Sequence, residues 1–168
     1  MRLPGMRAGI EQHLGSQQVG KVVYGSIIGL ALVVALEKHP PAPGVMAVWL
    51  LGTAVAVGLA EVFSEVVGSE TNTRSPVTRD QVRHFVEHAA AVGFGIVFPA
   101  VFFVLSALGL FEVATAFTVA KWTGVGLIGF YGFWAARFAG SAPSRALVKG
   151  VLVALVGAGL IALKSLVH

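Results

Sequence analysis

Gly44 to Val67 reads GVMAVWLLGTAVAVGLAEVFSEVV, and no charged residue interrupts it before Glu61. An apolar run of about 18 or more residues is long enough to cross a bilayer as a helix. The run carries two acids, Glu61 and Glu65, at its far end. The fold class follows from the first property, and the functional question from the second.

Four more runs of this kind occur in the 168 residues. One spans Val22 to Leu36, begins after Gln17-Gln18, and stops at Glu37-Lys38-His39-Pro40-Pro41, where two prolines cannot continue a helix. Another runs from near His84 to near Leu110 with Pro99 inside it. The last two run from about Val113 to Phe138 and from about Ser144 to Leu166. The expectation is an all-α membrane bundle of five transmembrane helices over 21–168, with a short hydrophilic loop at 68–83. Residues 1–20 form a cytoplasmic segment, either an interfacial helix with Ile10 and Leu14 on one side or a disordered tail. They do not read as a cleavable signal peptide, because the apolar run starts late and no small-residue cleavage site follows.

Composition agrees. Apolar residues make up 56% and charged residues 12%, against about 25% charged in soluble domains; mean hydropathy is +0.83. With no cysteine, thiolate metal sites, redox CxxC pairs and disulfides are excluded. No GxSxG, P-loop, HExxH or GxGxxG with a following strand is present, and no enzyme activity or resident cofactor is expected.

Arg2, Arg7 and Lys21, then Arg74, Arg79 and Arg83, then Arg137, Arg145 and Lys149 fall on one side of a five-helix topology. The positive-inside rule makes that side cytoplasmic, with the N-terminus inside and the C-terminus outside, in the plasma (inner) membrane. The net charge of +4 then calls for no nucleic acid. Thr78 with Gln81 three residues on is a capping-box pattern, so the third helix is expected to begin near Arg79, before the membrane. Gly25-x-x-x-Gly29, Gly124 with Gly126, Gly129 and Gly132, and Gly150 with Gly157 and Gly159 mark faces where backbones approach closely, within the chain or across a homodimer.

Ionisable side chains inside a bilayer are the default functional candidates. Glu61 and Glu65 are four apart and share a helix face, with Ser64 beside it. The rise per residue puts Glu61 roughly 8–10 Å and Glu65 roughly 3–5 Å below the cytoplasmic end of the span. An unpaired carboxylate at the greater depth costs on the order of 2–3 kcal/mol. It must hold a proton, a cation or water. The next span opens Arg83-His84-Phe85-Val86-Glu87-His88. His84 and His88, four apart, have usable metal-ligand spacing, with Glu87 on an adjacent face. The candidate metal ligands are therefore Glu61, Glu65, Glu87, His84 and His88. The alternative for the two glutamates is a structural salt bridge to Arg137 or Arg83. Lys121 is expected to snorkel to the outer interface, and Trp122, Tyr131 and Trp134 to sit in the aromatic belts.

Ala60-Glu61-Val62-Phe63-Ser64 is similar to the Gly-Glu-Tyr-x-Ser stretch late in the second helix of the vacuolar iron transporter (CCC1-like) family. Gly25 falls near the glycine of that family's Asp-Gly pair, and the basic-then-apolar ending from Arg137 through Arg145 and Lys149 has the same layout. The chain differs at Tyr24, where the family has an acid, in the short 68–83 segment, and in having no methionine near Glu61. Val-Tyr-Gly near the start and Leu163 to His168 at the end also resemble small bacterial multi-pass membrane proteins. The first resemblance implies a homodimeric transporter of a divalent metal cation of the iron or manganese class, proton-coupled through its glutamates. A non-transporting accessory protein and an oligomeric cation channel stand as alternatives.

Overall fold

The computed structural model describes residues 18–167. They form six helices, α1 (Gln18–Leu36), α2 (Pro43–Thr73), α3 (Arg79–Val97), α4 (Ala100–Ala107), α5 (Val113–Phe138) and α6 (Pro143–Val167), with no strand among the described residues. The expected segment 1–20 lies almost wholly outside them. α1, α2, α5 and α6 are each long and apolar enough to cross a membrane. α3 and α4 pass the same test together, as a pair bent by 47°. The chain is a helical membrane protein with four such helices, and a fifth span when the bent pair is counted as one.

The bend sits at Phe98-Pro99, where proline removes a backbone donor. It serves packing. Pro99 is fully buried, and α4 delivers Phe103 edge-on to Phe117 of α5 with ring centres 4.8 Å apart. Both rings belong to a core cluster with Val33, Met46, Leu50, Val92 and Ile96.

Helix boundaries carry local signals. Gln81 N–H donates to Thr78 Oγ1 at 3.3 Å, and Thr78 N–H donates to Gln81 Oε1 at 2.8 Å, which completes the capping box that starts α3. The hydrophilic stretch 68–83 is mostly helical and not a loop: α2 continues to Thr73, and only 74–78 lie outside helices. Thr71 and Thr73 turn their hydroxyls back onto the carbonyls of Val67 and Ser69, and Arg74 closes the helix at φ 53° with its N–H on Glu70 O. At 31 residues, α2 is about 46 Å long, against a hydrocarbon core of about 30 Å.

Glycines set the tightest contact. A Cβ on Gly25 would lie 2.0 Å from Val92 O, and one on Gly95 would lie 2.5 Å from Ser26 N. α1 and α3 therefore meet backbone to backbone, which side chains at these positions forbid. Gly129 and Gly132 are spent on α6, where their added Cβ atoms would meet Ala154 and Val153 at 3.1 Å; Gly126 faces open space. The α5 stripe is thus mainly an internal packing face.

Candidate membrane ion-pair cluster

Lys21 lies in the first turn of α1, Glu61 and Glu65 in the second half of α2, and His88 in the third turn of α3. The α1–α3 contact and the short 74–78 connection bring these three places to one end of the bundle. The Lys21 ammonium donates to Glu61 Oε1 and, at 2.9 Å, to Glu65 Oε1. Glu65 also meets His88 Nδ1, at 2.9 Å through Oε1 and 3.1 Å through Oε2. The lysine, Glu61 and Glu65 side chains are 26, 17 and 20% exposed, and that of His88 6%.

The partner of the glutamates is therefore Lys21, not Arg137 or Arg83. Arg137 Nη1 donates to the Ser141 carbonyl at 2.8 Å, and Arg83 lies 3.4 Å from Glu87 one turn on. From the sequence alone Lys21 reads only as an orientation charge. The available signal was its position at the start of the first span, on the same side as the acids and lacking an acid in its own helix.

Two of the five candidate ligands, Glu65 and His88, touch directly, and Glu61 joins them through the lysine. Glu87 stays apart from them, and among them His84 meets only the ring of His88. His84 Nδ1 is 3.7 Å from Glu87 Oε2, both side chains being well exposed. Glu87 also lines a groove of about 420 Å³ with Gln18, Phe94 and Tyr131. The rings of His84 and His88 lie 4.3 Å apart, yet one faces out and the other in. Among the described residues no three His, Asp or Glu side chains are gathered to hold a metal ion.

Charge counting describes what the cluster can do. Two carboxylates and one ammonium leave a net charge of −1 while His88 is neutral, and zero when His88 is protonated. If Nδ1–H of a neutral His88 donates to Glu65, Nε2 carries the lone pair. That nitrogen is buried with no hydrogen-bond partner among the described residues. The arrangement has room in its charge balance for one further positive charge, a proton or a cation.

At the opposite end Lys121 Nζ donates to Glu37 Oε1 at 2.5 Å and is 16% exposed. It pairs with Glu37, the residue just beyond the end of α1. Between the two charged ends the interior is filled by Leu30, Val33, Leu50, Val92, Ile96 and Ile128, each fully buried.

No family model, curated protein or solved structure matches this chain.

Proposed function

We propose that the chain is a small multi-pass transporter of a divalent cation, of the iron or manganese class, in which Glu61 and Glu65 accept the cation and Lys21 is the internal positive charge that occupies them beforehand. The observation that carries this reading is the single ammonium shared by two partly buried carboxylates, one of which also meets a buried histidine. Such a pair of acids with one tethered cation behaves as an exchange site: release of Lys21, or of a proton from the cluster, leaves two oxygen donors for a hard metal ion.

In this reading the basic end of the bundle is cytoplasmic, the N-terminus is inside, the C-terminus is outside, and the membrane is the plasma membrane. A homodimer is part of it, since a second copy supplies the other wall of a path along the exposed side of the carboxylates. Gel filtration in mild detergent tests the dimer, and a reporter fused after His168 tests the orientation.

The second reading is a non-transporting accessory protein, favoured by the same lysine: both carboxylates already have a cation as partner, so the cluster serves as a tie between helices. Uptake of Mn²⁺ or Fe²⁺ into proteoliposomes separates the two. Transport predicts uptake by the wild type, lost in Glu61→Gln. It also predicts that Lys21→Met gains thermal stabilisation from Mn²⁺ that the wild type shows weakly. No uptake by the wild type, together with no metal stabilisation of Lys21→Met, refutes transport and leaves the accessory reading.

A further inference from the structure

A second feature lies at the same end of the bundle and is independent of the ion-pair cluster. α1, α5 and α6 enclose an open groove of about 710 Å³, within the ~300–1,000 Å³ of pockets that take amphiphilic small molecules. Its walls are apolar: Val19 and Val23 of α1, Phe138 of α5, Leu152 and Val153 of α6. Gly20 opens the α1 side, since a Cβ there would meet nothing within 4 Å. Among the described residues Lys149 is the one charged side chain that lines it.

The mouth of the groove is shaped by the turn after α5. Gly140, at φ 80°, allows Ser141 N–H to reach back to Ala136 O at 3.0 Å and ends the helix. Ser141 then becomes a gathering point for two cations. Arg137 donates to its carbonyl at 2.8 Å, and Lys149 to its hydroxyl at 3.3 Å. Arg145 follows on the first turn of α6. From Ala135 to Lys149 the sequence holds three basic residues and no acid. No carboxylate among the described residues pairs with any of the three. An apolar slot with Lys149 on its wall and Arg137 beside it at Ser141, neither paired with a carboxylate among the described residues, matches an acyl chain with a negative headgroup.

We propose that the groove between α1, α5 and α6 binds an anionic phospholipid of the surrounding bilayer, with one acyl chain along Val19, Val23 and Leu152 and its phosphate on Arg137 and Lys149. A zwitterionic lipid offers the same chain but no net charge, so the cations confer the preference. The probes are palmitoyl-oleoyl phosphatidylglycerol and phosphatidylcholine, added to the full chain in detergent and counted by native mass spectrometry. Phosphatidylglycerol should be retained in preference to phosphatidylcholine. Lys149→Gln and Arg137→Gln, both on exposed side chains, should each weaken that preference about five-fold, the effect of one cation near an anionic headgroup. Gly20→Leu, whose Cβ has open space, should narrow the slot and lower retention of both lipids alike. Equal retention of the two lipids by the wild type, or an undiminished preference in the Lys149→Gln/Arg137→Gln double variant, overturns the proposal. Full displacement of phosphatidylglycerol by glycerol 3-phosphate overturns it too, since the headgroup alone would then account for binding.

Discussion

Replacing Lys21 with methionine keeps the length and apolar stem of the side chain and removes the charge that Glu61 and Glu65 share. Breaking a fully buried ion pair from one side costs about 3–5 kcal/mol, and a fully exposed one about 0–1. The three side chains are roughly one-fifth exposed, so the loss should fall at about 2–4 kcal/mol, nearer the buried limit. For a domain of this size that is roughly 5–15 °C in melting temperature. Glu61→Gln should behave differently. The ammonium keeps Glu65, and the repulsion between two carboxylates on one cation disappears, so the loss should be about 1 kcal/mol or less. The double variant Lys21→Met/Glu61→Gln leaves Glu65 on His88 and no stranded carboxylate at Glu61. It should melt above Lys21→Met alone, with a coupling energy of about 1–2 kcal/mol. Thermal unfolding of the four proteins in one detergent, followed by intrinsic tryptophan fluorescence, closes the cycle. A Lys21→Met protein that melts within 2 °C of the wild type, or a double variant that loses the sum of the two singles, would show that the lysine does not neutralise these acids.

Three further outcomes follow from the packing and the caps. Gly25→Ala places a methyl 2.0 Å from Val92 O; α1 and α3 must separate, and the variant should lose at least about 3 kcal/mol or fail to accumulate as a monodisperse protein on gel filtration. Arg74→Gly relieves a left-handed backbone at φ 53° and should gain about 1 kcal/mol, read as a rise in melting temperature. Thr78→Ala removes the capping oxygen of α3 and should lose about 1 kcal/mol, with faster amide exchange confined to the first turn of that helix.

The spans were legible because a bilayer imposes a length and a polarity that composition alone reveals. The capping box at Thr78 and the break at Pro99 were legible because each acts within a few residues. The shared face of Glu61 and Glu65 was legible from helical periodicity. What periodicity cannot supply is the identity of the facing helix. Lys21 lies 40 residues from Glu61, and its role depends on α1 resting against α3, which in turn depends on Gly25 and Gly95 admitting a backbone contact. The same missing information concealed the Lys121–Glu37 pair, 84 residues apart. It also concealed the division of the two histidines, one turned into the bundle and one out. The glycines of α5 were recognisable as a packing face, but only the position of α6 decides that Gly129 and Gly132 are used within the chain while Gly126 is not.

The close seating of α1 on α3 has a mechanical consequence. Those two helices meet along their backbones and form a rigid post. α2 packs on α3 and α4 but comes near the backbone of α1 at few places. The bond from Lys21 to Glu61 and Glu65 is thus a latch between α1 and α2, fastened at the end where the long α2 extends. Whatever draws the ammonium away from the carboxylates removes the polar tie between α1 and α2, and leaves α2 held to the post by its packing on α3.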